Sequence, residues 1–324
     1  MSLLDPHSLR ALVPSPVILS AARDESLTGA RLRASNTHVR VRPGVYARAD
    51  QWSALRPWER YLARVHAYAL VHPDAVFCLE SAAALLGLPV FGEPRDIHVF
   101  DIGRARGRRH GDVCIHASDT GRAMTVGDLI VTSVADTAVD LLRVLPPAFA
   151  LAVGDAAARH PADPCTADDL HAVAGTQSNR RGRAQLEWVF ARIDDRAESV
   201  GESVSRAVIE WCGFPTPVLQ QTFHYEGAED RSDFYFPDER VIGESDGFGK
   251  YLSGQDAADP RALRREKARE DRLRRYERGF ARWDYGDAMR AAPLDAKLRM
   301  AGVPAVRPPQ HALLATLRDH PRAR

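Results

Sequence analysis

Of the 44 basic residues in this 324-residue chain only three are lysine: Lys250, Lys267 and Lys297. Arginine is the default cation here, so a lysine marks a place where a compact charge with an adjustable pKa is of use. Cysteine is as scarce: Cys78, Cys114, Cys165 and Cys212 lie far apart, with no C-x-x-C pair. That excludes a zinc site built from close ligand pairs and the disulfide framework of a small secreted domain. Cys114-x-His116 has a spacing that could ligate a metal, but the ordinary reading is two residues of a half-buried strand. No run of about 18 apolar residues occurs, which excludes a spanning helix. The start, MSLLDPHSLR, lacks the basic-then-apolar order of a signal peptide. These absences predict a soluble, cytoplasmic protein without a membrane partner. Net charge is also nearly absent, at +1. Any nucleic-acid surface must therefore come from local segregation of charge.

What is present is ordinary globular chemistry, 45% hydrophobic and 27% charged, with length for two domains or three. The pattern is α+β. Residues 1–50 carry early prolines, a helical stretch near 15–34, and then Val39-Arg40-Val41-Arg42-Pro43-Gly44-Val45-Tyr46. This alternation around a Pro-Gly turn predicts a hairpin. A helix followed by a basic hairpin is how a winged helix-turn-helix ends, with Arg40 and Arg42 on the phosphate backbone. A small hairpin packed on the next domain is the bland alternative. Residues 51–175 predict helices at 58–72, 79–86, 135–145 and 148–159, with strands at 96–101, 112–117 and 129–132. His98 and His116 fall on two of those strands, where histidines are mostly satisfied by hydrogen bonds. Residues 176–186, TQSNRRGRAQL, read as a polar hinge before a helix at 184–193.

The last third carries the chemistry. Glu198–Ser203 opens a helix running to Gly213, followed by a strand at 218–223, an acidic loop at 225–230 and a hairpin of strands 231–236 and 240–246. Side-chain alternation places Asp233 on one strand and Glu244 and Asp246 on one face of the other. A three-residue turn pairing Phe236 with Arg240 leaves Asp233 one position from Glu244, and a one-residue shift brings the two together. Converging carboxylates repel one another unless a divalent cation neutralises them, and Mg2+ or Mn2+ suits such oxygen ligands. Residues 226–246 hold eight acidic and two basic side chains, and 261–290 hold eleven basic and six acidic. An acidic pocket beside a basic helix at 261–278 is the polarity expected of a metal-dependent nuclease. Taken alone, the helix reads more readily as a solvated, salt-bridged surface, and it is the acidic hairpin that shifts the balance.

Several segments together resemble a known family. They are Arg231-Ser232-Asp233-Phe234, Val241-Ile242-Gly243-Glu244-Ser245-Asp246-Gly247, Lys250-Tyr251, Glu266-Lys267-x-Arg269-Glu270-Asp271-Arg272-Leu273 and Arg282-Trp283. This set resembles bacterial, actinobacterial-type proteins whose C-terminal domain is related to very-short-patch-repair endonucleases of the PD-(D/E)xK superfamily. Arg42-Pro43-Gly44-Val45-Tyr46-Ala47 and Ser81–Pro89 are similar to AbiEi-type antitoxin regulators of type IV toxin–antitoxin systems. The resemblance implies a degenerate winged-helix-like segment at 1–50 and an AbiEi-like α+β domain at 51–175. It further implies a restriction-endonuclease-like α/β/α domain at 184–300 and a tail at 301–324. It implies Mg2+ or Mn2+ held by Asp233 and Glu244, with Glu202 or Asp246 completing the set. Lys250 or Lys267 would orient the water, and Arg269, Arg272 and Arg274 would contact DNA. A cognate toxin is the second implied partner. The sequence departs from the superfamily at Asp246, where a lysine is expected. The departure fits either a migrated lysine or a nuclease fold that binds DNA without cutting it. Trp283 is expected to pack in the core.

Overall fold

The computed structural model describes residues 12–21, 37–101, 103–104, 106–117, 122–246 and 260–318. They form a mixed α/β structure in two compact units. The first comprises the described residues up to Val144 together with Ala157–Ala191. It opens with β1 (Ser20–Ala21), β2 (His38–Arg42) and β3 (Val45–Arg48), an antiparallel sheet in the order β1-β3-β2. The expected hairpin is present and turns at Pro43-Gly44. The helix expected over 15–34 is not found in its described part, where residues 15–21 lead into β1, and residues 22–36 lie outside the described residues.

Helices α1 (Ala49–Ala54) and α2 (Pro57–Ala69) follow. Pro57 sits in the first turn of α2, where no backbone N–H is needed. The Glu59 carboxylate accepts the Arg56 N–H at 2.7 Å, and Tyr61, Leu62, Val65 and Ala69 are buried. Next come β4 (Val76–Phe77), α3 (Leu79–Leu86), β5 (Ile97–Asp101), β6 (Arg108–His110), β7 (Val113–Ala117), β8 (Ala123–Val126) and β9 (Leu129–Thr132). The strands form a mixed sheet in the order β6-β7-β5-β4-β9-β8. Helices α4 (Val134–Val144), α5 (Pro147–Ala158), α6 (Ala167–Thr176) and α7 (Arg183–Phe190) follow in sequence. Tyr61, Phe77, Leu85, Ile97, Leu141 and Leu142 are fully buried in this unit. No described helix is long and apolar enough to cross a membrane.

The second unit combines Leu145–Ala156 with the described residues from Arg192 onward. Its elements are α8 (Val200–Trp211), β10 (Val218–Tyr225), β11 (Ala228–Phe236), β12 (Val241–Asp246), α9 (Pro260–Tyr276), β13 (Gly279–Asp284), α10 (Tyr285–Arg290), α11 (Ala292–Ala301) and α12 (His311–Ala315). The sheet runs β10-β11-β12-β13, an antiparallel meander with β13 parallel to β12. The acidic loop expected at 225–230 is mostly strand, because β10 continues to Tyr225 and β11 begins at Ala228. Trp211, Phe214, Phe234, Phe236, Ile242 and Trp283 are buried here, Trp283 as expected. Its indole N–H donates to Ser205 Oγ at 2.8 Å, so burying the polar edge costs little. Gly243 makes room for that ring, since a Cβ there would lie 2.7 Å from Trp283 Cη2. After α11 the chain straps back onto α8: Val306 and Arg307 donate backbone N–H groups to the Gly213 carbonyl, and Gln310 donates to that of Trp211.

Candidate functional site

Strand alternation divides the residues of β12 between two helices. Gly243 and Ser245 face α8, where Trp283 meets Ser205 and an ideal Cβ on Gly201 would lie 3.2 Å from Ser245 Oγ. Ile242 and Glu244 face α9, where Leu273 and Arg269 lie. The hairpin turn has four residues, with Phe236 paired to Val241, Tyr235 to Ile242 and Phe234 to Gly243. This is one residue away from the three-residue turn expected, and continuing the register sets Asp233 opposite Glu244. Asp233 Oδ2 accepts the Ser245 backbone N–H at 2.9 Å. The two acids singled out from the sequence therefore sit on adjacent strands, Asp233 tied to the Ser245 backbone and Glu244 bound to Arg269 of α9.

Glu244 is buried, and both of its oxygens are engaged. Arg269 Nη2 donates to Oε1 at 2.5 Å and Arg282 Nη2 to Oε2 at 2.6 Å. Arg269 also binds Glu266 at 2.8 Å, and Arg282 lies 3.4 Å from Glu266 and 3.3 Å from Glu270. The local sequence explains the convergence. Glu266, Arg269, Glu270 and Leu273 recur at helical spacing on the sheet-facing side of α9, and Arg282 is the register partner of Glu244 on β13. The Arg269 guanidinium is held well above its ordinary range by hydrogen bonding to Glu266 and by Glu244. Burial works against charge on Arg282, yet Glu244, Glu270 and Asp246 together raise it. Both arginines are fixed cations at neutral pH.

The other expected site residues fall as follows. Asp246 is half-buried and pairs in register with Asp284. Lys267 is exposed on α9, and Lys250 lies outside the described residues. Glu202 is buried in the cap of α8, where its carboxylate accepts from Glu198 N at 2.9 Å, Ser199 Oγ at 2.8 Å and Gln220 Nε2 at 2.8 Å. Arg272 makes two hydrogen bonds to Asp230, at 2.7 and 2.8 Å, and Arg274 pairs with Glu270 while lying over the Phe280 ring. Arg42 is likewise turned inward, bonding Asp112 at 2.7 and 3.0 Å beside the Tyr68 ring. Arg40 is exposed on β2.

As folded, this donor set does not fit a magnesium or manganese centre. Glu244 and Glu202 have their oxygens taken by donors. Among the described residues no group of three His, Cys, Asp or Glu side chains is placed to hold a metal ion. Cys114 and His116 do not act together either: Cys114 Sγ is 3.5 Å from Asp96, and His116 Nε2 is 2.9 Å from His98 Nδ1. Arg282 and Glu270 are central to the network but were not singled out as site residues. The signal that could have found them is the parallel pairing of β13 with β12, which alternation in β13 alone does not reveal.

Two proteins of Mycobacterium tuberculosis are similar to this chain. They are the uncharacterized protein MT2308 of strain CDC 1551 / Oshkosh and the uncharacterized protein Rv2248 of strain ATCC 25618 / H37Rv. Each is 34% identical over 232 residues, which is 71% of this chain and 79% of the relative. No family model and no solved structure matches the chain.

Proposed function

We propose that this chain, which belongs to the family of these two mycobacterial proteins, is a DNA-binding regulator whose second unit keeps a nuclease-like scaffold without cleavage. The observation that carries the loss of cleavage is the double engagement of Glu244 by Arg269 and Arg282. Two guanidinium groups stand where the resemblance implies a divalent cation. At an effective dielectric of 20, a divalent ion about 4 Å from one guanidinium meets about 8 kcal/mol of repulsion. The carboxylate would have to exchange both partners before a metal could bind. Asp246 in place of the superfamily lysine supports the same reading. The order α8, three antiparallel strands, α9 and a parallel β13 supports a PD-(D/E)xK-like scaffold around the silenced site.

DNA binding is supported by the first unit. Its sheet order β1-β3-β2, closed by a hairpin with Arg40 exposed, suits a wing laid against a phosphate backbone. In the second unit, Arg264, Arg265 and Lys267 are separately exposed on α9. The test is duplex binding followed by fluorescence anisotropy in EDTA and in magnesium. Equal affinity in both is expected, and Arg40→Ala should lower the salt slope by about 1. Binding that disappears in EDTA would contradict the regulator reading.

A second reading, a magnesium- or manganese-dependent DNA endonuclease, is favoured by one observation. Ser245 Oγ and Gln220 Oε1 are buried oxygens without a hydrogen-bond partner among the described residues. Ser245 meets Asp233 through its backbone N–H, and Gln220 meets Glu202 through its side-chain amide N–H. Gln220 Oε1 is an unsatisfied acceptor next to the Glu202 carboxylate, the kind of oxygen a cation would relieve.

A further inference from the structure

The stretch at 176–186, read from sequence as a hinge, folds into something more specific. Gly182 adopts a left-handed conformation, φ +69°, and an ideal Cβ on it would lie 3.0 Å from the Arg143 carbonyl oxygen. Only glycine lets the chain pass this close to the end of α4. The turn gathers Arg180 and Arg183 beside Arg143, and these three line a pocket with His171, Asn179 and Phe190. All of these residues belong to the first unit.

The charge in this pocket is unbalanced. Three arginines face a single carboxylate, Glu187, whose Oε1 is 3.8 Å from His171 Nε2. Elsewhere the chain neutralises its inward arginines: Arg206 pairs with Asp155, Arg122 with Asp136 and Asp140, and Arg272 with Asp230. Arg143 is instead held by neutral acceptors. It donates to the Arg181 carbonyl at 2.8 Å, Gln177 Oε1 at 3.2 Å and the Ala174 carbonyl at 3.3 Å. Burial lowers its basicity, and Arg180 and Arg122 push the same way against the pull of Asp140. Arg180 and Arg183 are exposed and have no carboxylate partner among the described residues. The Asn179 Oδ1 accepts the Arg181 N–H at 3.0 Å, which fixes the loop. The first turn of α7 holds no acidic residue, so nothing there offsets the arginines.

We infer that the Arg143–Arg180–Arg183 pocket is a binding site for a phosphate group. Three arginines lining one concave site are suited to a tetrahedral phosphate anion, which guanidinium groups bind through paired N–H donors. Phe190, packed edge-on to His171 at 5.5 Å, adds an aromatic wall beside the charge. The phosphate could be a free phosphate ester or one carried on a nucleic-acid backbone.

The test is calorimetric titration of inorganic phosphate and of AMP into the full chain at constant ionic strength, with a short DNA duplex as competitor. Wild type should bind both small anions, and the Arg180→Ala/Arg183→Ala variant should lose at least tenfold in affinity. Both substituted side chains are exposed, so the variant should keep the wild-type circular dichroism and melting temperature. Arg183→Lys, which keeps the charge, should retain part of the affinity. Competition by duplex would assign the phosphate to nucleic acid. Indifference to duplex, with AMP bound more tightly than phosphate, would assign it to a small ester. Absence of phosphate binding, or unchanged affinity in the double variant, would overturn the inference. Because phosphate binding is read directly, a failure of the DNA-binding proposal leaves this result standing.

Discussion

Glu244 is held between two cations, and removing it should be costly. Glu244→Ala leaves Arg269 and Arg282 facing one another in a partly buried site, a loss of about 3 kcal/mol in urea unfolding. Glu244→Ala/Arg282→Ala should recover part of that loss, because the leftover cation is gone. If Glu244→Ala unfolds at the wild-type midpoint, the pairing is not as described. Asp155 sets a second residue-scale prediction. Burial lifts its carboxyl to about 6, against Arg206 and the Asp194 N–H, which favour the charged form. Between about pH 4 and 6 the folded protein therefore keeps a proton that the unfolded chain has released. Stability should fall by about 3 kcal/mol as pH rises through that window and level off above it. Asp155→Asn should flatten that segment of the curve, and an unchanged slope would remove Asp155 as its source. The acids of the site were legible in the sequence because Asp, Glu and alternation are visible in one strand at a time. Their neutralisation was not, since Arg269 and Arg282 reach Glu244 from elements 25 and 38 residues away.

At the scale of elements, two junctions hold α8 in place. Its N-terminus is closed by Ser199, whose Oγ accepts the Glu202 N–H at 3.1 Å and donates to the Glu202 carboxylate. Ser199→Ala should cost about 1 kcal/mol, measured by thermal or urea unfolding. At the other end Gly213 has φ +88°, and a Cβ there would fall 2.0 Å from the Arg307 carbonyl oxygen. Gly213→Ala should undock the strap of residues 303–310 and open it to limited proteolysis; a variant as resistant as wild type would contradict the role given to that contact. The long helices and the hairpins were legible from apolar spacing and from the Pro-Gly turn. Strands β4, β6 and β8 were not: β4 and β6, at two and three residues, are too short for alternation to register, and β8 (AMTV) lacks the β-branched apolar run of the equally short β9 (LIVT). β13 escaped for another reason: Gly279-Phe280-Ala281-Arg282 follows a charged helix, and its parallel pairing depends on a crossover that local pattern does not encode.

At the scale of the whole molecule, the second unit is not one continuous piece of chain. Leu145–Ala156 belongs to it, and Asp155 joins this segment to Asp194 N at 2.9 Å and to Arg206 at 2.8 Å. A fragment starting at Arg192 should therefore be less stable than the same unit in the full chain. On the proposed reading, the engagement of Glu244 by Arg269 and Arg282 leaves the second unit without cleavage. The measurement that tests it most directly is plasmid nicking across magnesium and manganese concentrations, for wild type and Glu244→Ala, with calorimetry of the metal alone. No nicking and no stoichiometric metal binding are expected in either protein. Metal-dependent nicking by wild type that vanishes in Glu244→Ala would contradict that reading and make the chain a nuclease.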